Sequence, residues 1–314
     1  MKTALDQLLD FFNIIDENGI SNLDKVHKYQ KILRRVETTD KNKSVEAAEN
    51  ETAAGGISNG IIIENGKIIG LGIHIYNEDV YPLQSFEIYL RNCDLIGELD
   101  ISGCTDMVFL DLYHNRITSV KSKNMPSMRI FGVQDNNIGE LDVTGMPSCQ
   151  GIDAGMNRLK EIDVSRNPEL VELYINDNAF TQIDLSGNPK LKYFYCHNNR
   201  ITALDTRANP LLRHLNATGN PMKSIRSLAP QREERLPLEL YAGDGGCVGL
   251  KFNPVYNAQW KETGEWQQSY YAYPGEGFRF DGWYENGTKV SGEETWIDIY
   301  GTGRILQARF SAIL

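Results

Sequence analysis

An asparagine returns at every twenty-first position through the middle of this 314-residue chain. The column comprises Asn115, Asn136, Asn157, Asn178, Asn199 and Asn220, with Asp94 one step earlier. Large apolar residues keep the same step in a second column, which comprises Tyr89, Leu110, Phe131, Ile152, Leu173, Phe194 and Leu215. A fixed period of this length predicts a solenoid, in which each repeat forms one coil and packs only on its neighbours.

Each repeat contains a short segment in which apolar and other residues alternate, as in "LKYFYCHNNRITALD", residues Leu191–Asp205. A period of two predicts a short strand, and stacked coils then place these strands in a parallel sheet with the apolar columns buried. The asparagine follows the strand, where its side-chain amide can satisfy backbone groups at the corner. Pro168, Pro189 and Pro210 recur after asparagine and predict an irregular or single-turn return segment.

The repeats follow the frame L-x-x-L-x-L-x-x-N-x-L-x-x-L. In one repeat its positions are occupied by Leu191, Phe194, Cys196, Asn199, Ile201 and Leu204. This frame resembles the leucine-rich repeat, and the resemblance covers seven repeats of 21 residues at 86–228. It implies an α/β repeat solenoid, a leucine-rich repeat horseshoe with a parallel concave sheet. Arg91 falls in an interior column of the first repeat, which predicts a one-residue bulge there.

Two segments precede the repeats. Residues 1–58 begin with apolar residues at helical spacing and continue into a polar, Gly- and Ala-rich stretch, so a helical segment and a linker are predicted. Ser21 and Asp24 have the spacing of a capping box. Residues 59–85 contain two apolar runs around Asn65-Gly66, the signal of a β-hairpin. We expect the helices and the hairpin to cap the open N-terminal end of the solenoid.

The period is lost after Pro237, and residues 238–314 are predicted to form a small β-rich domain. The stretch "YPGEGFRFDGWYENGTKVS" resembles the divergent internalin-B-type repeat domain of bacterial surface proteins. Phe280 and Trp283, which belong to its G-x-x-F-x-G-W element, are predicted core residues. Trp260 and Trp266 lie in an insertion-like segment and are the candidates for a contact made by the tail.

Composition narrows the range of functions. A net charge of −10 argues against nucleic acid and anionic membranes as partners, because both favour clustered Lys and Arg. No apolar run approaches the roughly 20 residues that span a bilayer, so membrane insertion is not expected. Asp6 and Asp10 interrupt the first residues where a secretory signal needs an apolar stretch, so either the protein stays in the cytoplasm or the chain lacks its signal.

Catalysis has little support in the sequence. It contains no motif of a serine hydrolase, a zinc protease or a phosphate-binding loop, and no metal or cofactor is predicted. Cys149 and Cys196 fall in interior repeat columns and are predicted to be buried core residues. Asp111 and His114 are near enough in sequence for acid–base work, but no nucleophile is in register with them. We therefore predict that the chain is not an enzyme.

The side chains between the core positions are expected to leave the concave sheet on its solvent side. A solvent-exposed sheet face that binds nothing is expected to carry Thr, Lys, Glu and Ser, whereas this face is rich in Tyr, His, Phe and Asp. The predicted ligand-binding residues on this face are Phe109, Asp111, Tyr113, His114, Asp153, Tyr174, Tyr193, Tyr195, His197 and His214. Such rings dominate many interfaces and line sugar sites, but tyrosines on a sheet also stabilise neighbouring strands by packing sideways.

These patterns predict a non-catalytic module that binds a protein or a glycan through the concave face. Resemblance to internalin-like bacterial surface proteins implies an adhesin-like role outside the cell or on its surface. Two alternatives remain: a cytosolic interaction scaffold, and a structural spacer that displays the C-terminal domain.

Overall fold

The structure is a computed structural model, and it describes residues 10–22, 24–25, 61–64, 67–71, 87–89, 91–105, 107–229, 236–252, 267–292, 296–300 and 304–313. The chain divides into two compact units, Met1–Arg158 and Leu159–Leu314, which we call the N-terminal and C-terminal units. The strands of the N-terminal unit are β1 (Ile61–Glu64), β2 (Lys67–Leu71), β3 (Glu87–Tyr89), β4 (Ile96–Asp100), β5 (Phe109–Asp111), β6 (Arg116–Lys121), β7 (Ile130–Gly132) and β8 (Gly151–Asp153).

The main sheet of the N-terminal unit has the strand order β1-β2-β3-β5-β7-β8. From β3 to β8 the strands are parallel. Strand β3 is shifted by one residue from the 21-residue step, because Ile88, and not Tyr89 as the column predicted, lies opposite Leu110. The later strands keep the step, so that Leu110 lies opposite Phe131, and Phe131 opposite Ile152. These three side chains are almost completely buried, as the alternation predicted. We call the opposite side of this sheet its outer face. The repeat solenoid predicted from the 21-residue period is therefore confirmed.

The asparagine column holds successive coils together through buried side chains. In Asn136, Oδ1 accepts a hydrogen bond from the N–H of Ile117, and Nδ2 donates to the carbonyl oxygens of Leu112 and Val133. The same contacts recur 21 residues later at Asn157. Because these backbone groups are buried at the corner, the asparagine supplies partners that water cannot.

The described N-terminal residues 10–25 pack against the first coil. Only residues 10–12, 22 and 24–25 of this segment are helical, so the predicted helical cap is not shown, and its other residues lie outside the described ranges. The buried amide of Asn22 accepts a hydrogen bond from the N–H of Ile96 and donates one to its carbonyl oxygen. Ser21 and Asp24 form the predicted capping box. Asn22 thus covers backbone groups of the first coil.

The predicted hairpin is present, because β1 and β2 pair antiparallel across Asn65 and Gly66, which lie outside the described residues. Strand β2 also pairs with β3, with Leu71 opposite Ile88. The hairpin therefore covers the edge of the repeat sheet that begins at β3, as expected for a cap.

Acidification should destabilise the N-terminal segment through Asp16. The pKa of its carboxyl is lowered to about 2, first by the N–H of Ile20 and then by the ammonium group of Lys25, which lies 2.9 Å away. Since the unfolded chain has the ordinary pKa of 3.8, this stabilisation is present above pH 4 and is lost as the pH falls towards 2. Urea unfolding between pH 5 and pH 2.5 should show a smaller acid loss in Asp16→Asn than in the native chain. Glu17→Gln, at an exposed neighbour, is the control, and equal acid losses in all three proteins would contradict the prediction.

The C-terminal unit continues the repeats and ends in antiparallel strands. Its strands are β9 (Glu172–Tyr174), β10 (Tyr193–Tyr195), β11 (Ala203–Asp205), β12 (His214–Asn216), β13 (Ser224–Ala229), β14 (Leu236–Ala242), β15 (Gly246–Phe252), β16 (Gln267–Pro274), β17 (Phe278–Glu285), β18 (Thr288–Ser291), β19 (Trp296–Tyr300) and β20 (Ile305–Ala312). They form two sheets, with the orders β9-β10-β12-β15-β16-β19 and β11-β13-β14-β20-β17-β18.

The tail strands extend both sheets of the repeats. Strand β15 pairs antiparallel with β12, placing Lys251 opposite Asn216, and β14 pairs antiparallel with β13. The aromatic core of the tail includes Trp283, which is fully buried, with the rings of Tyr270 and Phe280 against it. The tail thus covers the last coil with backbone hydrogen bonds as well as apolar surface. The predicted boundaries at 58, 85, 228 and 238 stay predictions.

Candidate functional site

The outer face in the C-terminal unit is built from aligned side chains on β9, β10 and β12. The parallel register places Tyr193 between Glu172 and His214, and Tyr195 between Tyr174 and Asn216. Phe194 and its equivalents on both neighbouring strands point the other way and are buried. The strict 21-residue step therefore assembles the predicted rings from three repeats on one surface.

The rings of this surface contact one another directly. We call Tyr174, Tyr193, Tyr195, His197 and His214 the ring cluster. The ring centroids of Tyr174 and Tyr195 are 5.1 Å apart with an interplanar angle of 51°, and those of Tyr193 and His214 are 4.5 Å apart and nearly parallel. Tyr195 also meets His197 edge to face at 6.3 Å. Such contacts hold the rings in place before any partner arrives.

His214 lies beneath this surface and not on it. Its side chain is almost fully buried against Tyr193, and burial lowers the pKa of the imidazole, with the positive charge of Arg213 acting in the same direction. The imidazole is therefore neutral near pH 7. Its main contribution in this structure is to support the ring of Tyr193, and its predicted role in ligand binding stays a prediction.

Asp177 organises the corner next to the ring cluster. Its carboxylate accepts hydrogen bonds from the side-chain amides of Asn176 and Asn198, both at 2.8 Å. Nε2 of His197 lies 3.7 Å from the same carboxylate. Protonation of His197 would therefore create a charge pair at the rim of the cluster.

Two tail residues join the same face, and sequence analysis missed them. Strand β16 runs antiparallel to β15, and its alternation buries Tyr270 and Ala272 while Tyr271 and Tyr273 stay partly exposed. Their rings are stacked at 6.4 Å. Burial raises the pKa of Tyr273, and a hydrogen bond with the backbone of Gly219, in the last coil, opposes that shift. The alternation in "SYYAYP" was the available signal, but the pairing of β15 with β12 was not foreseeable.

In the N-terminal unit, Asp111 is engaged in an ion pair. Arg91 donates from Nε to its carboxylate at 2.6 Å and makes a second contact through Nη2, and the N–H of Tyr113 donates to the other oxygen. The guanidinium carbon of Arg91 lies 5.9 Å from the centre of the Tyr113 ring. Arg91 therefore reaches the outer face instead of the interior column, because the one-residue shift of β3 gives the first repeat an extra residue before the turn at Asn92, whose φ is +55°.

His114 does not pair with Asp111. It occupies a corner position with a φ of +56°, and its Nδ1 lies 2.5 Å from the carboxylate of Asp135, one repeat later. The centre of its exposed ring is 5.8 Å from that of Tyr113. The His–Asp neighbourhood considered from the sequence is thus replaced by a contact between equivalent corners of adjacent coils.

The remaining predicted residues of this unit have local partners. Asp153 accepts a hydrogen bond from the N–H of Gly155, which is a turn contact. Phe109 is partly exposed on β5, opposite Ile130. The side chain of Ile130 lies so close to Gly151 that a Cβ there would meet its Cδ1 at 2.9 Å. The space that the missing side chain of Gly151 would leave on this face is therefore filled by Ile130.

Trp260 and Trp266 lie outside the described residues. Within the described ranges, no group of three His, Cys, Asp or Glu side chains is arranged to hold a metal ion. The described part of the chain also holds no helix with the length and hydropathy needed to span a bilayer.

No protein-family model matches the chain, and no curated protein matches it. Its fold is similar to those of several solved leucine-rich repeat structures. The functional domain of InlJ from Listeria monocytogenes, which includes a cysteine ladder, is 23% identical over 40% of this chain and 33% of that one, with a TM-score of 0.35. The Leptospira interrogans protein LIC12759 is 15% identical over 46% of this chain and 50% of that one (TM-score 0.31), and the LRIM1 leucine-rich repeat domain is 15% identical over 41% and 57% (TM-score 0.29). The chain thus spans a third to just over half the length of these structures.

Proposed function

We propose that this chain is a non-catalytic protein-binding module and that the ring cluster is its contact surface. The observation that carries the proposal is the set of partly exposed tyrosine rings of β9 and β10, in which Tyr174 contacts Tyr195 and Tyr193 stacks on the buried His214. Tyrosine offers an apolar body and a polar tip, and it is among the residues that contribute most at interfaces. Strands over a packed core hold these rings with little entropy left to lose on binding.

The thiol chemistry of the described residues supports a role other than catalysis. Cys149 and Cys196 are completely buried, and burial raises the pKa of both thiols, that of Cys149 to about 12. A reactive cysteine needs a lowered pKa and access to solvent, and these two have neither. They contribute to the core of the coils, as the sequence predicted.

Several finer readings belong to the same proposal. An extracellular or cell-surface adhesin would use the ring cluster against a partner protein, and a glycan would stack on the same tyrosines. A cytosolic scaffold would use it for an intracellular protein. A spacer, which is the alternative to this proposal, would leave it unoccupied and display the tail, whose sequence resembles internalin-B-type domains. If the native chain and a variant without the ring cluster captured the same partners, that result would favour the spacer.

The test is affinity capture from matched extracellular and cytosolic extracts, together with a glycan array. The native chain is compared with a Tyr193→Ala, Tyr195→Ala, His197→Ala variant, and we expect the variant to lose the captured partner. The control variant changes Glu169→Ala, Lys190→Ala and Arg207→Ala, which removes charges from return segments and leaves the ring cluster intact. If the cluster variant is folded and still captures every partner of the native chain, the proposal is wrong.

A further inference from the structure

Glu172 is an unusual carboxylate in the described part of the chain, because it lies among rings and no cation of that part pairs with it. It is on β9, next to Tyr193 on the adjacent strand and two residues before Tyr174. Its described polar contact is with the hydroxyl of Tyr174, which donates to Oε2 at 3.3 Å. Burial raises the pKa of its carboxyl, and no Lys or Arg contributes to the shift.

Other acidic residues on the coils form ion pairs with a Lys or Arg side chain. Asp111, on the outer face of the N-terminal unit, is paired with Arg91. Glu169, three residues before Glu172, is paired with Lys190 at 2.6 Å. The charge of Arg213 contributes to the pKa shift of His214 and not to that of Glu172. On the outer face of the C-terminal unit, Glu172 is therefore a partly buried carboxylate with no ion pair to a cation among the described residues.

A carboxylate in such surroundings is poorly solvated, and it is stabilised most by a cation that can also contact the rings. A guanidinium group can donate two hydrogen bonds to a carboxylate while its flat face packs on an aromatic ring. The paired rings of Tyr174 and Tyr195, 5.1 Å apart, lie on the strand positions next to Glu172 and Tyr193. Asp177, on the same coil, adds a second negative charge at the rim.

We propose that Glu172, Tyr174, Tyr193 and Tyr195 form a site for a cationic side chain, above all an arginine, carried by a peptide segment of the partner. The inference rests on the proposed function and specifies its partner: a basic peptide surface that packs one arginine against the tyrosine rings and pairs it with Glu172. The guanidinium supplies the charge that Arg91 supplies to Asp111 within the other unit.

The test uses the full chain with ¹³C-labelled tyrosine rings, observed by NMR. The probe is a decapeptide of alternating serine and arginine, and the matched probe replaces arginine by citrulline, which has the same shape without the charge. We expect the arginine peptide to shift the resonances of Tyr174 and Tyr195 with an affinity about tenfold higher or more than the citrulline peptide. Glu172→Gln should remove that difference, whereas Glu169→Gln should keep it.

Three outcomes overturn the inference: equal affinity for both peptides, no shift of these tyrosines at millimolar peptide, or equal losses in the two glutamine variants, which would indicate general attraction to an acidic protein. Partner capture separates this inference from the proposed function. If the three-residue cluster variant loses the partner but Glu172→Gln keeps it, the ring cluster binds without the proposed charge pair. If the cluster variant keeps the partner, the proposed function itself fails.

Discussion

Replacing Phe194 by alanine should lower the free energy of unfolding by about 3–5 kcal/mol. Phe194 is fully buried in the centre of β10, between Leu173 and Leu215 in the interior column of the parallel sheet. Removing its ring leaves a cavity that the flanking coils cannot close, because each is fixed by its own strand pairing. Urea unfolding measures the loss, followed by the fluorescence of the four tryptophans, among them the buried Trp283 in the same unit.

Two variants make this prediction specific. Phe194→Leu keeps most of the buried volume and should cost about 1–2 kcal/mol. Lys192→Ala changes a side chain two residues earlier that is not part of the core, and it should stay within about 0.5 kcal/mol of the native chain. A loss below about 1 kcal/mol in Phe194→Ala would mean that the interior column does not carry the packing described here.

The interior columns could be predicted from the sequence because a strict period leaves little freedom. Once Phe194 is assigned to the core, the 21-residue step assigns Leu173 and Leu215 as well, and alternation places Tyr193 and Tyr195 on the other side of the strand. The same logic located the asparagine column. Prediction succeeded wherever a residue's environment is repeated by the coils on both sides.

Prediction failed where one coil departs from its neighbours. A one-residue bulge was expected at Arg91, and β3 is indeed shifted by one residue from the 21-residue step, but no spacing encodes the pairing of the Arg91 guanidinium with Asp111. A second buried asparagine column also went unnoticed, because each member precedes a proline and suggested only a turn. In this column Nδ2 of Asn188 donates to the carbonyl oxygens of Val164 and Asn167, and Asn209 repeats the pattern.

Contacts between distant segments were also beyond the sequence. Asn22 bonds to the backbone of Ile96 across 74 positions of the chain. Tyr271 joins the outer face because β15 pairs with β12, a register that follows from the fold of the tail and not from any period. The part of the candidate site that the repeats contribute could therefore be predicted from the sequence. The part that the tail contributes could not.

Replacing Asn199 by alanine should destabilise the chain by about 2–3 kcal/mol or more, since each buried backbone group left without a partner costs about 1–3 kcal/mol. Its Oδ1 accepts from the N–H of Phe180, and its Nδ2 donates to the carbonyl oxygens of Ile175 and Cys196. Asn199→Asp should cost more than alanine when ionised, because a carboxylate would face those carbonyl oxygens. Amide hydrogen exchange at Phe180 should accelerate in both variants.

The neighbouring Asn198 provides the matched control. Its side chain is exposed, and its backbone has the left-handed conformation, with a φ of +56°. Because glycine adopts this conformation readily, Asn198→Gly keeps the backbone and removes only the side-chain contact with Asp177. We expect this variant to lose less than about 1 kcal/mol and to leave exchange at Phe180 unchanged. Equal losses at positions 198 and 199 would show that the corner tolerates unpaired backbone groups. A larger loss at 199 alone would show that the asparagine column is what joins each coil to the next.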